Sequence, residues 1–245
     1  TDQPNQRTDF DLSLRTPVTQ VWTLVGGAAF NRSTLDRRTV ALGYWRDDGT
    51  QGALLNAGRG RSDNAALFVQ SEHDFEHGVT AYFGGRYDRF DTDGEVVQNT
   101  APAFTQSYAT RSYDHFSPKL ALVWEARRWL TLRGSYGEGF RPPALLDLYS
   151  RTVSPTAVAG VNSVNEPAPE LKPERVRSFE AGTDASLAGG ARVSLTYYAQ
   201  RLTELIYRRR LSAILTRTEN SGEADIDGIE ASVLWPTGVR GLAAF

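Results

Sequence analysis

Between Ser117 and Tyr149 the chain alternates apolar and polar side chains, turns over Ala126-Arg127, alternates again, and then opens a long polar stretch. In the first run Pro118, Leu120, Leu122 and Trp124 share one face, while Ser117, Lys119, Ala121, Val123 and Glu125 share the other. Leu130, Leu132 and Tyr136 then oppose Thr131, Arg133 and Ser135. Period-two alternation is the mark of a β-strand with two unlike faces. In a soluble sheet the polar face would be wet and outside. In a membrane barrel the apolar face would meet lipid and the polar face would line the lumen.

Extended over the whole chain, the alternation predicts about eleven strands. They run over 9–15, 18–30, 35–46, 64–74, 79–90, 111–125, 128–138, 175–188, 191–207, 215–235 and 239–245. Several exceed the usual ~5–6 residues of soluble strands. Short turns are predicted at 31–34, 75–78, 126–127, 189–190 and 236–238, where turn-tolerant residues cluster. Long connections are predicted at 47–63, 91–110 and 139–174, with briefer long-side links near Thr16 and Arg208. Tight turns alternating with long loops fit an antiparallel outer-membrane barrel. Inside the longest loop, Arg141-Pro142-Pro143 followed by Ala144, Leu145, Leu146, Asp147 and Leu148 predicts one or two helical turns. Trp22, Trp45, Trp124, Trp129 and Trp235 fall near strand ends, as an aromatic belt would.

Composition removes several alternatives. The 245 residues contain no Cys, which excludes disulfides, thiolate metal sites and Cys nucleophiles. Lys and Arg number 27 against 29 Asp and Glu, a net charge of -2, so no basic field recruits nucleic acid. Mean hydropathy is -0.41 and no apolar run reaches the ~18–20 residues of a membrane helix. A barrel hides its membrane signal in alternation and is compatible with that average. The absence of Met, and of a signal-like start, leads us to expect a segment or processed product of a longer protein.

Four ordered segments carry a resemblance to a known family. Phe116-Ser117-Pro118-Lys119 opens a strand. Gly134-Ser135-Tyr136-Gly137-Glu138-Gly139-Phe140-Arg141-Pro142-Pro143 is followed by Leu145 and Leu148-Tyr149. Pro169-Glu170-Leu171-Lys172-Pro173-Glu174 precedes Ser178, Glu180 and Gly182, and Asn220, Gly222 and Ala224 precede Gly228 and Glu230. Together they resemble the later barrel of TonB-dependent outer-membrane receptors, with Pro142 where Ala is usual and Ala168 where Asn is usual. The resemblance implies an all-β, partial transmembrane barrel, about 11 strands of a barrel of about 22. It further implies a plug domain outside this chain, a TonB-type energy-coupling partner acting through that plug, and uptake of a small-molecule or metal-chelate ligand, foremost a ferric siderophore. Outer-membrane lipid is the expected surrounding. A passive porin-like channel and a soluble all-β binding module are the alternatives; a gene without a plug would select the first, detergent-free solubility the second.

Candidate chemistry is sparse. His73-Asp74-Phe75-Glu76-His77 matches an inverted zinc-protease signature, but that chemistry needs a helix to bring residues four apart together, and here the segment links two strand patterns. The carboxylates of 88–95, Asp88, Asp91, Asp93 and Glu95, allow a calcium-holding loop tip without the full twelve-residue spacing. His115 stands alone. The glycines of 134–139 lack dinucleotide spacing, and no Ser sits in a nucleophile elbow, so no catalytic residue and no resident metal or cofactor is expected. Recognition is expected of loop side chains: Arg59 and Arg61, Tyr108 and Arg111, Arg141 and Tyr149, through charge-assisted bonds and stacking. Lys119, Arg133, Glu180, Arg192 and Glu230 are expected to face the lumen and hold the plug.

Overall fold

The computed structural model describes residues 4–44, 46–100 and 103–236. Its wall is one antiparallel sheet of nine strands, joined in sequence order except where short strands of a second sheet intervene. These are β1 (Asn5–Pro17), β2 (Trp22–Leu42), β3 (Gln51–Phe75), β4 (Val79–Gln98), β5 (Phe104–Arg127), β6 (Leu130–Arg141), β9 (Glu174–Ser186), β10 (Arg192–Thr203) and β13 (Glu223–Leu234). A helix, α1 (Leu145–Tyr149), and the short strands β7 (Thr152–Pro155) and β8 (Asn162–Glu166) lie between β6 and β9. The hairpin β11 (Ile206–Arg210) and β12 (Leu215–Asn220) lies between β10 and β13. Among the described residues the wall sheet does not close: β1 and β13 are its edges.

The register assigns the two faces. Leu12, Ala28, Leu67, Tyr87 and Phe116 stand in one cross-strand row, and Leu120, Tyr136, Phe179 and Ala199 continue the same face. Leu12, Leu67, Tyr87, Phe116, Leu120, Tyr136 and Phe179 are exposed. An exposed apolar face on alternate positions is what lipid contact requires. Trp22, Trp124, Trp129 and Trp235 gather at the rim of short turns, forming the lower aromatic girdle. Tyr87 and Phe116 mark the upper one. From Trp124 to Phe116 is eight residues, about 19 Å of height for strands tilted ~45°. Trp45 falls outside the described residues, as does the strand expected at 239–245.

The principal corrections concern strand length. The turn expected at 31–34 does not exist: residues 22–42, which take in most of the strands expected at 18–30 and 35–46, form a single 21-residue strand, β2. Its polar centre is satisfied sideways, since the Asn31 amide donates to Asp9 and the Arg32 guanidinium pairs with Asp63 at 2.7 Å. Polarity there marks the strand's exit from lipid, not a reversal. The real turn is 18–21, on the short-turn rim, where the link near Thr16 had been expected on the long side. Likewise 47–63 and 91–110 are mostly strand. β3 has 25 residues, about 80 Å, against the ~9–11 that cross a bilayer, so its first half rises above the membrane. The connections there shrink to 43–50 and 99–103. The strand expected at 215–235 breaks at Ser221-Gly222, where Gly222 takes φ 82°, separating β12 from β13. The β5–β6 ladder ends at Lys119, beside Pro118, which has no N–H to donate.

Candidate functional site

The end of the wall opposite the short turns is built around the 142–173 segment. Pro142-Pro143 cannot continue the ladder of β6, so the chain leaves the wall and α1 forms, as its proline start predicts. The helix then lies against the lumen face of β2, β3 and β4. Tyr149 is fully buried there, its ring seated in a trough of three glycines. A Cβ at Gly60 would stand 2.5 Å from the ring and one at Gly94 2.4 Å; one at Gly58 would meet the Tyr149 carbonyl. The phenol oxygen lies 3.1 Å from Thr92 Oγ1, which donates to the Arg61 carbonyl. Leu148, Ala168 and Leu171 complete this small core, with Tyr108 and Ile206 against it. Burial raises the Tyr149 phenol above its ordinary value, with the Thr92 hydrogen bond acting the other way, and burial likewise raises Tyr108.

Polar clamps hold the segment's ends. Glu174 is buried, with Oε2 paired to Arg141 and Oε1 accepting the Ile206 N–H at 2.7 Å, so one carboxylate joins β6, β9 and β11. Asn220 spends its whole amide on backbone: Oδ1 accepts from Lys172 N at 2.7 Å, and Nδ2 donates to Lys172 O and Glu204 O. Thr218 donates to Asp147 Oδ1 at 3.3 Å, and Arg217 pairs with Glu170. The two extracellular excursions thus share a four-stranded sheet, β11-β12-β8-β7, in which β8 and β12 pair in parallel.

The expected recognition residues divide. Arg59 and Arg61 lie in β3, not in a loop, and strict alternation in Gly58-Arg59-Gly60-Arg61 turns the glycines inward and the arginines outward. Arg59 binds Glu95 at 2.6 Å and Asp36 at 3.5 Å, and Arg61 pairs with Asp63. Tyr108 is half-buried with its ring 5.8 Å from that of Tyr149. Arg111 stands opposite Thr92, exposed on the lumen side, and Arg141 is exposed beyond its pairing with Glu174. Tyr149 itself is buried packing. Two lumen-side arginines escaped the sequence reading: Arg37, which donates to Ser150 Oγ at 2.8 Å and Thr152 Oγ1 at 3.0 Å, and Arg151, stacked 5.8 Å over Phe104. Arg37 was legible only through the face-sharing of β2, which the false turn at 31–34 interrupted.

Lys119, Arg133, Glu180, Arg192 and Glu230 fall on one sheet face, the polar one: Lys119 opposes Gly137, Arg133 opposes Gly182, Glu180 opposes Tyr198, Arg192 opposes Ser186 and Glu230 opposes Thr196. Gly182 and Gly228 leave the space over which Arg133 and Tyr198 lie, and Arg133 reaches Thr196 and Asp184. The stretch 88–95, read as a calcium-holding loop tip, lies inside β4, where alternation sends Asp88 and Asp91 to opposite faces and their carboxylates take Arg86 and Arg89. His73–His77 is a strand end and turn, with His77 at φ 67°, and no group of three metal-binding side chains occurs among the described residues.

A girdled antiparallel wall with a polar lumen and inward-folded extracellular segment defines a membrane-barrel receptor class. The family model "TonB dependent receptor-like, beta-barrel" matches residues 1–245, and the chain belongs to that family. No curated protein matches it in sequence. Among solved structures it is similar to the FrpB iron transporter from Neisseria meningitidis (F3-3 variant), at 16% identity and TM-score 0.67, covering 96% of this chain and 34% of that one. It is similar to a double mutant of the Serratia marcescens hemophore receptor HasR in complex with its hemophore HasA and heme, at 19% and 0.66, covering 97% and 40%. The copper transporter OprC matches at 15% and 0.73, covering 94% and 36%. The chain therefore spans roughly a third to two-fifths of these relatives.

Proposed function

We propose that this chain is part of the barrel of an outer-membrane receptor that takes up a scarce metal chelate, foremost a ferric siderophore, with energy supplied by a TonB-type complex through a plug carried outside these residues. The observation that carries the reading is the lumen-side vestibule. Arg111 and Arg141 are presented there on the wall strands and Arg151 on the segment that follows α1, which Tyr149 and Leu171 pin against the wall. Anionic oxygen donors of a ferric chelate suit guanidinium groups, which bind carboxylate-like oxygens in pairs. The names of FrpB, HasR and OprC, an iron transporter, a hemophore receptor and a copper transporter, support the metal class without selecting one chelate. Lys119, Arg133, Glu180, Arg192 and Glu230 would hydrate the lumen and meet the plug.

The test is accumulation of labelled ferric chelates by cells making the protein as its gene encodes it, with and without an uncoupler of the proton-motive force. Receptor-dependent accumulation that the uncoupler abolishes is the expected result. Accumulation indifferent to the uncoupler would favour a passive channel, and no receptor-dependent accumulation of any metal chelate would sink the proposal.

A further inference from the structure

At the upper end of the lumen face a cavity of about 230 Å³ lies between β2–β3 and the stretch that follows α1. Arg37 and Asn56 line it from the wall, and Ser150, Arg151, Thr152 and Ser154 line it from the inward-folded segment. Two guanidinium groups therefore reach one small space from opposite sides, and among the described residues no carboxylate lines it. Among the described residues neither arginine forms an ion pair, whereas most of the other arginines do.

The donors are also left over. Arg151 Nη1 is buried with no hydrogen-bond partner. A buried cationic N–H without an acceptor is costly, and native folds rarely leave one so. Arg37 gives Nη1 to the lone pairs of Ser150 and Thr152, which frees both hydroxyl protons to point elsewhere. The Arg151 guanidinium carbon lies over the Phe104 ring at 5.8 Å from its centroid, and a guanidinium forks onto oxyanions along its edge. The Asn56 carbonyl oxygen is buried and unpartnered, and turning that amide over would present Nδ2 instead. The cavity is thus lined by two guanidinium groups, one of which keeps a buried N–H with no acceptor.

We propose that this cavity binds an oxyanion of phosphate or carboxylate size, held between Arg37 on the wall and Arg151 on the segment. The anion supplies the missing acceptor and bridges the two elements, so its binding tightens residues 150–154 against β2 and β3. The group comes either as a free inorganic anion or as an acidic arm of a larger ligand. The inference deepens the uptake reading by naming what one corner of the vestibule accepts, but its test does not depend on uptake.

The experiment is calorimetric titration of the purified protein, as its gene encodes it, in detergent, with phosphate, sulfate and acetate against chloride at constant ionic strength. The natural protein binds at least one of the three. Arg151→Gln weakens that binding at least ~tenfold, as loss of a charge-assisted pair does. Arg151→Lys, which keeps the charge and loses the fork, weakens it less, and Arg61→Gln on the outer face leaves it unchanged. Tetrahedral anions binding where acetate does not point to a free inorganic ion, and the reverse points to a carboxylate arm. Heat-shifted gel mobility verifies folding; if the Gln variant fails it, the Lys variant decides. No anion binding by the natural protein, or equal binding by the folded Arg151 variants, overturns the proposal. A protein that binds phosphate through Arg151 and transports nothing refutes the uptake reading alone.

Discussion

Assignment of the faces makes the sharpest prediction at neighbouring positions of β5. Leu120 lies four residues above Trp124 and four below Phe116, which puts it about 10 Å from either girdle for a strand tilted ~45°. It is half-exposed on the apolar face, and its cross-strand partners Phe83 and Tyr136 are on that face too. Ala121, one residue on, points into the lumen between Tyr82 and Ser135. A guanidinium at the bilayer midplane costs roughly 2–4 kcal/mol in an outer-membrane barrel. Leu120→Arg should therefore lower the folding constant by about thirty- to a thousandfold, measured against Leu120→Ala to remove the side-chain loss. Ala121→Arg, with water at hand, should cost under ~1 kcal/mol. Denaturant titration of the protein in lipid vesicles, followed by tryptophan fluorescence, reads both. If Ala121→Arg costs as much as Leu120→Arg, the two faces have been exchanged and the lumen assignments fail with them.

Other expectations follow from the extracellular segment. Tyr149→Ala and Gly60→Val should both expose residues 150–165 to protease on intact cells while barrel mobility on gels is unchanged; resistance equal to the natural protein would mean that the glycine trough does not hold the segment. The Tyr149 phenol is raised in the folded state, so the stability it lends is complete below its ordinary value of ~10 and fades as pH climbs through the higher folded value. In tyrosinate absorbance Tyr149→Phe should accordingly remove one of the late-titrating groups, and an unchanged titration would count against burial. Cysteines at Thr105 and Gly160 should react with impermeant thiol reagents on whole cells and one at Gly189 should not; equal labelling would overturn the orientation.

Much of the wall was legible from alternation, because a strand with lipid on one side and water on the other writes its two faces directly into the sequence. The strand expected at 128–138 is β6 at 130–141, and the one expected at 111–125 ends within two residues of β5, whose first seven residues, 104–110, lay in the expected connection. What misled was polarity above the membrane. Once β2, β3 and β4 leave lipid, both faces are wet, alternation fades, and Asn, Ser, Asp and Gly look like turns although each finds a cross-strand partner. The recognition residues suffered most from this. Arg59 and Arg61 were read as loop tips, whereas the Gly-Arg-Gly-Arg period already said which side each would face. The structural roles of Leu171, Glu174 and Asn220 depend on partners tens of residues away, and only the family pattern flagged those positions.

The parallel pairing of β8 with β12 has a consequence for how such receptors can be altered. Leu215, Thr216 and Arg217 align with Val164, Asn165 and Glu166, so the 142–173 and 204–222 excursions form a single folded unit delivered by two separate pieces of chain. Grafting one of them from another receptor would leave an unmatched β-edge and orphan the Glu174 and Asn220 clamps. Swapped as a pair, they bring their shared sheet with them, and for chimera design the natural cassette is both excursions together with the short β9–β10 hairpin that spaces them.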